Sequence, residues 1–376
     1  MYRRSKIGWL AAALIICAIT ARADDLDLDA EPALDAVAWS GDLLVRQDWL
    51  DNGNGSAGDL ARLITRLRYG PTWQIDDAWS LAGALRVDAA GVGNANVVRD
   101  HDNQRPRDLA LDALHLDYAS PGGHRFEAGK DALPLNLSRM VWDSDLRPAG
   151  LSYGYRSKLG DDTALDLTAG TFLGQHLSGD QSRLSAFQAG VRFDEHGTLQ
   201  PELILSYLHF TDLDALARAG LGRGNPLDLL LLPCSTPPCT AVQAVSYQDR
   251  YELADLQFAL HVVGETPFRL LLDAEKNLGA VAGADRAGRM ELALGDSTAA
   301  GGSEFGIALE RMQRSAVLGA FNEDDWWFHA GSHGTMLWYA YGWSERVRLR
   351  AGLFREQPDV SPNHWNRLLL DLQWRL

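Results

Sequence analysis

Past its first twenty or so residues, this 376-residue sequence has no long apolar run. Leu227 to Leu232 comes closest and falls far short of the roughly 20 residues that a membrane-spanning helix needs. That excludes a helical membrane protein. Positive charge is also scarce, with 35 Lys and Arg against 50 Asp and Glu, a formal net charge of −15. Generic nucleic-acid binding wants a basic footprint, so that class is excluded too. No linker-like shift of composition divides the chain, which favours one continuous architecture over two soluble domains. Disorder is ruled out by 12 Trp and 11 Phe.

Cysteine is the third scarcity, with three in all. Cys17 lies in the N-terminal segment, leaving Cys234 and Cys239 in PCSTPPC. A metal site would need further ligands, and none is near. In an oxidising compartment the pair is expected to form a small disulfide.

The compartment is read from the start of the chain. Arg3, Arg4 and Lys6 form a basic region, Trp9 to Ile19 is apolar but too short to span, and Ala21-Arg22-Ala23 offers a cleavage site. Residues 1–23 therefore read as a secretory signal. A lipoprotein signal at Cys17 is disfavoured because bulky Ile16 precedes it. Cleavage leaves 376 − 23 = 353 residues and removes four basic ones, so 31 positive charges face 50 negative, a net −19. Residues 24–37 are an acidic lead-in without a period.

What the sequence does contain is alternation. In the last eleven residues, NRLLLDLQWRL, one set of alternate positions is Leu368, Leu370, Leu372, Trp374 and Leu376. The other is Arg367, Leu369, Asp371, Gln373 and Arg375. A strand points successive side chains to opposite faces, so this segment has an apolar face and a mostly charged one. An amphipathic strand of a soluble sandwich reads the same way, as does the closing strand of a membrane barrel.

The connections decide between them. Sixteen alternating segments can be placed over residues 38–376. They include Trp39 to Arg46, Arg62 to Tyr69, Trp79 to Asp88, Phe187 to Phe193, Leu256 to Val262 and Phe268 to Asn277. A Gly/Ala-rich loop follows Asn277, and a thirteenth strand is expected near Ser315 to Phe321. Connections after odd-numbered segments are long, those after even-numbered ones a few residues. Short turns on one side and long loops on the other are what a transmembrane antiparallel β-barrel produces, and a sandwich has no reason to sort its loops by parity. The expected fold is all-β, with about 16 strands, short periplasmic turns and long external loops. The longest external loop is expected at 211–250.

Several segments carry a family resemblance: VWDSDLRPAGL (Trp142, Asp143, Asp145, Gly150), the Gln188/Gly190 pair, Asn277, AVLGAFNEDDW (Ala316 to Trp326) and the terminal NRLLLDLQWRL. On these the chain resembles a porin family of Gram-negative outer membranes, spread over essentially the whole mature chain. It departs from that family by ending on Leu376 rather than an aromatic. The resemblance implies an outer-membrane location among lipid and lipopolysaccharide, and engagement of the barrel-assembly machinery through the C-terminal strand. A homotrimer, passage of small hydrophilic solutes and the absence of a cofactor are also implied.

Two features are candidates for selectivity. Barrel closure brings the last two and first two strands together, and their polar faces carry Arg46, Arg62, Arg66, Arg68, Arg346, Arg348, Arg350, Arg367 and Arg375. A water-filled lumen tolerates such a wall, and charge at a constriction sets selectivity. The alternative is a scaffold in which these arginines pair with neighbouring Asp and Glu. The second feature is the loop at 131–147. By analogy with general porins it folds into the lumen and brings Asp143 and Asp145 towards the arginines. Trp73, Trp79, Tyr118, Trp338, Tyr339, Trp343 and Trp374 suit interfacial girdles.

Enzymatic signals are weak. His329 and His333 on a strand would lie about 13 Å apart, at roughly 3.3 Å per residue, and could not share a metal. GLGRGN near Leu221 lacks a strand–helix context for nucleotide binding, and no nucleophile motif stands out. The expected function is a passive outer-membrane channel leaning weakly to anions. The alternatives are a non-conducting barrel for surface binding and a channel for one solute.

Overall fold

Alternating side chains give each strand one face for an apolar surround and one for a polar interior, and a sheet of such strands has no free edge only when it closes. The computed structural model describes residues 37–51, 60–91, 109–174, 181–218, 224–233, 240–281, 283–323 and 329–376. Within them, sixteen strands form one closed antiparallel barrel. In chain order they begin with β1 (Val37–Asp51), β2 (Leu60–Gln74), β3 (Trp79–Gly91), β4 (Ala110–Ala119), β5 (His124–Lys130) and β6 (Ala149–Lys158). β7 (Thr163–Leu173), β8 (Arg183–Phe193), β9 (Leu199–Thr211), β12 (Tyr251–Val262) and β13 (Phe268–Asn277) follow. β14 (Arg286–Gly295), β15 (Ser303–Met312), β16 (Ser332–Gly342), β17 (Val347–Pro358) and β18 (Trp365–Arg375) complete the wall. Between β9 and β12 lie a short helix, α1 (Asp214–Arg218), and a separate hairpin of β10 (Leu227–Pro233) and β11 (Thr240–Tyr247).

Each barrel strand pairs with its neighbour, and β18 closes on β1 with Leu43 opposite Trp374 and Arg46 opposite Asp371. Outward positions are apolar and exposed, among them Leu85, Phe126, Leu151, Phe187, Leu203, Phe305 and Leu353. Inward positions hold buried polar and charged groups, including Arg46, Asp48, Arg62, Gln188, Asp255, Asp273, Glu310 and Asp371. Among the described residues no helix is long and apolar enough to cross a membrane.

One end of the barrel carries the short turns, 75–78, 120–123, 159–162, 194–198, 263–267, 296–302 and 343–346. The other end carries 52–59, 92–109, 131–148, 174–182, 212–250, 278–285, 313–331 and 359–364. The expected parity holds with one overlap, since 359–364 is no longer than 296–302.

The strand count agrees with the sequence reading, but two assignments do not. Residues 286–295, read as part of a Gly/Ala-rich loop, form β14. Its alternation is masked because Ala287 and Ala293 sit inward, where larger polar groups would have revealed the face. Residues 315–321 form no strand; they belong to a loop whose apolar side chains are buried inside the barrel. The two errors cancelled. A third correction concerns Trp338, which is buried inside rather than set in a girdle. Gly306 lies opposite it, and an added Cβ there would stand 2.0 Å from the indole, so glycine makes room for the ring. Residues 1–36 of the segments read as signal and lead-in, with Cys234, Cys239 and Trp326, lie outside the described residues, while Val37 begins β1.

Candidate functional site in the lumen

Loop 131–148 leaves β5 with its neck closed by the Lys130 ammonium, which donates to the Arg147 carbonyl at 2.5 Å. It then reaches the far wall. The Asn136 N–H donates to Oε1 of Gln188 at 2.9 Å, and its carbonyl accepts from Nε2 of Gln188 at 3.0 Å and of Gln257 at 3.1 Å. From there the loop crosses back, burying Met140, Val141, Trp142 and Leu146. Asp145 ends the crossing in ion pairs with Arg66 and Arg68 on β2. β2 and β12 lie eight strands apart around the sixteen-strand ring, so the loop spans the lumen.

Asp145 titrates well below the usual carboxylate range. Burial acts to raise it, and the guanidinium groups of Arg66, Arg68, Arg86 and Arg46 outweigh that effect. Asp143, two residues earlier, is buried. Its Oδ1 accepts the Asp145 N–H at 2.7 Å, which braces the loop's own turn. Its N–H donates to the Phe321 carbonyl at 2.6 Å.

Phe321 belongs to a second inward segment, 313–323, which the sequence reading took in part for a strand. Four hydrogen bonds from two asparagines hold it. Asn225 donates to the carbonyls of Arg314 and Val317 at 2.7 and 2.8 Å and accepts from the Gly319 N–H at 2.8 Å. Asn277, at the end of β13, donates to the Ser315 carbonyl at 2.8 Å. The loop buries Ala316, Val317, Leu318, Ala320 and Phe321. Phe321 stacks on Trp142 with ring centroids 5.3 Å apart, and the Glu323 N–H donates to the Arg139 carbonyl at 3.0 Å. The two loops thus pack as one unit inside the barrel.

The arginine wall is present and largely ion-paired. Arg46 grips Asp371 through two bonds of 2.8 and 3.0 Å. Asp48 takes Arg62 at 2.8 Å and Arg367 at 2.9 Å. Arg68 also meets Asp112 at 3.2 Å. Arg348 donates to Ser297 at 2.8 Å and to Glu304 at 3.3 Å, and Arg350 lies 5.7 Å from the centre of the Trp338 ring. Arg346 and Arg375 are exposed at the turn end, joined by the Arg375 N–H donating to the Arg346 carbonyl at 2.8 Å.

Comparison with known proteins bears on the fold. No family model matches the chain, and no curated protein matches it. Solved structures do match. OmpF of Salmonella typhi, in a complex with daunomycin, superposes with a TM-score of 0.54 at 10% identity, over 91% of this chain and 98% of that one. The high-pH structure of OprB from Pseudomonas putida gives 0.56 at 12% identity, over 90% and 94%. A loop L8 deletion mutant of OmpT, an outer membrane protein of Vibrio cholerae, gives 0.50 at 11% identity, over 92% and 100%. This is a porin-like barrel fold. Identities so low carry the likeness of fold alone.

In this porin-like barrel the sequence reading missed a second set of arginines. Arg125, Arg156, Arg192 and Arg269 point inward near the turn end of β5, β6, β8 and β13, opposite in parity to exposed Phe126, Leu151, Phe187 and Leu272. Each is held by a carboxylate, for example Arg192 by Glu202 at 2.9 Å and Arg269 by Glu304 at 2.9 Å. The signal was available, since each arginine sits one or two residues inside a strand end on the polar parity. His333 lies on β16, His329 precedes it, and the two take different partners. His329 meets Glu356 at 3.2 Å and His333 meets Asp359 at 3.6 Å. Among the described residues no group of three or more His, Cys, Asp or Glu could hold a metal.

Proposed function

We propose that the chain forms a passive diffusion channel in the outer membrane of a Gram-negative bacterium, open to small hydrophilic solutes, with a weak lean to anions and no chemical step. One observation carries the reading. Side chains that point into the barrel near its turn end stay half-exposed, with Arg125 at 59%, Arg156 at 47%, Arg269 at 46% and Arg192 at 41%. An interior that keeps guanidinium groups wet while the outer face is apolar suits water inside and lipid outside. An outward aromatic row supports the same placement. Trp79, Tyr118, Phe126 and Tyr153 follow one another near the turn end with centroids 4.8, 6.0 and 4.8 Å apart.

Arg62, Arg66, Arg68, Arg346, Arg348, Arg350 and Arg367, with Asp143 and Asp145, are the pore-lining residues of this proposal. Membrane lipid and lipopolysaccharide would surround the barrel, the assembly machinery would engage β18, and a homotrimer is the proposed assembly. Residues 1–23 would be the secretory signal. A Cys234–Cys239 disulfide belongs to the same reading, supported by the register of the hairpin, where Pro233 pairs with Thr240.

Liposome swelling and reversal potentials test it. Proteoliposomes should swell in small sugars at rates that fall with solute size. A salt gradient should give a modest anion preference that Arg348→Gln with Arg350→Gln reduces. Swelling no faster than in empty liposomes would sink the channel, and cation preference would remove the anion lean alone. A non-conducting barrel for surface binding is the second reading, favoured by the apolar contact of Met140, Val141, Trp142, Leu318 and Phe321 where the two loops meet. It predicts a folded barrel without permeation.

A further inference from the structure

The outward face of the barrel is mainly apolar, but one sector of it gathers cations. At the end with the long loops, Lys276 on β13, Arg286 on β14, Arg311 on β15, His333 on β16 and Arg355 on β17 are all exposed. These five strands are neighbours, and each cation shares the outward parity of an exposed apolar residue: Leu272, Met290, Leu309, Leu337 and Leu353. Register sets Lys276 directly opposite Arg286, and Arg311 directly opposite His333. From Arg286 to Arg311, and again from His333 to Arg355, the row steps two residues towards the turn end. Steps of that sense follow the tilt of strands in a closed barrel, so the five form a level rim at the edge of the apolar band.

Like charges directly opposite one another on paired strands repel. Carboxylates answer part of this charge. Asp285 lies 3.8 Å from Arg286 and Asp359 3.6 Å from His333, Glu252 faces outward on β12, and exposed Asp51 on β1 stands across Asn366 from Arg355. Among the described residues Lys276, Arg311 and Arg355 form no ion pair. Beside Arg355 the outer face opens into an apolar groove of about 750 Å³. Leu337, Leu353, Leu368 and Trp49 line it as one register row across β16, β17, β18 and β1, with Arg355 and Asn366 at its long-loop edge. Guanidinium and ammonium groups at a membrane surface match phosphate oxygens. A free phosphate would fit the rim but not the groove, and a neutral lipid the groove but not the rim. A phosphorylated glycolipid fits both.

We propose that this sector is a seat for the lipid A portion of lipopolysaccharide, its phosphates held by Lys276, Arg286, Arg311 and Arg355 and an acyl chain lying in the groove. This rests on the outer-membrane placement and not on conduction. It turns a general lipid surround into one oriented site on the outer face of β13 to β18 and β1.

The test uses the full folded protein in detergent, with diphosphorylated lipid A as the probe and its dephosphorylated form beside it. Diphosphorylated lipid A should bind saturably, read by tryptophan fluorescence, and dephosphorylation should raise the dissociation constant tenfold or more. Two double variants, Lys276→Gln with Arg286→Gln and Arg311→Gln with Arg355→Gln, should each weaken binding of the diphosphorylated form to a similar extent. All four side chains are exposed, so both variants should fold, and heat-modifiable migration on a gel checks this. Arg183→Gln, on the outer face of β8 and away from the rim, should leave binding unchanged. Equal affinity for the two forms of lipid A, or binding undiminished in both double variants, would overturn the seat. Displacement of lipid A by millimolar inorganic phosphate would overturn the lipid as its occupant. Double variants that bind lipid A normally but lose oligomers in light scattering would make the face an interface between copies, which also overturns it. Insertion into phospholipid vesicles separates the seat from the placement on which it rests. A chain that inserts without preferring lipid A loses the seat alone, and one that never inserts loses the outer-membrane placement as well.

Discussion

The two walls that loop 131–148 bridges treat buried carboxylates in opposite ways. On the β18–β1–β2 wall every acid named above has guanidinium partners: Asp371 with Arg46, Asp48 with Arg62 and Arg367, Asp145 with Arg66 and Arg68. On the β12–β13 wall, Asp255, Asp273 and Glu275 are just as buried but are not ion-paired in this way. Asp255 accepts from Ser206 at 3.1 Å and Gln257 at 2.8 Å, while among the described residues no hydrogen bond is formed to the oxygens of Asp273 or Glu275. Arg289, opposite Asp273 in register, is engaged with Glu291. The lesson is that burial alone does not tell what a charge contributes. A paired carboxylate stabilises its wall, and one without donors costs free energy that the rest of the fold must offset.

Replacing a carboxylate by its amide should therefore have opposite effects on the two walls. Asp48→Asn leaves two buried guanidinium groups without their counter-ion and should cost on the order of 3–5 kcal/mol. Guanidinium unfolding in detergent, followed by tryptophan fluorescence, measures it. A loss no larger than that of a surface substitution would break the comparison.

Asp145→Asn should cost less, roughly 1–3 kcal/mol, because Arg66 keeps Asp42 at 3.8 Å and Arg68 keeps Asp112 at 3.2 Å. Its signature is a loop made more sensitive to protease. The pH response of the wild type sharpens the point. A carboxyl whose folded value is depressed contributes stability above its unfolded value, and that is lost only as pH falls through the depressed one. Acidifying from pH 7 to 5 should leave this anchor intact, and release of the loop over that interval would contradict it.

Gln188→Ala removes the clamp at the other end of the crossing and should cost about 1–2 kcal/mol. Hydrogen exchange at Asn136 is its readout, and unchanged protection would show that Gln257 suffices. The smallest effect is expected at Glu275→Gln, a gain below about 1 kcal/mol, since an amide in that dry site is cheaper to bury than a charge. A clear loss there would mean that the two walls are alike.

Much of this was legible in the sequence. Alternation set the outward faces, loop parity set the closed barrel, and the terminal strand supplied Arg367 and Asp371. Placing the last strands beside the first is what brought Arg46 near Asp371, across almost the whole chain. What stayed hidden has physical causes. β14 carries alanines at inward positions, so its two faces look alike on paper. Ser315 to Phe321 is apolar because it packs inside the lumen, and an apolar segment packed there reads like a strand facing lipid. Trp338 was misplaced because an indole suits an interface or a buried carboxylate equally well. The clamps at Gln188, Asn225 and Asn277 were visible as residues, but their role depends on which loop reaches them.

The central claim is a water-filled barrel narrowed by two loops that pack together. Single-channel recording of the purified protein in planar bilayers tests it most directly, alongside a variant in which residues 135–145 are replaced by a short Gly–Ser linker. The account predicts discrete open steps in the wild type and steps several-fold larger in the variant. A folded, heat-modifiable wild type that stays silent would contradict it.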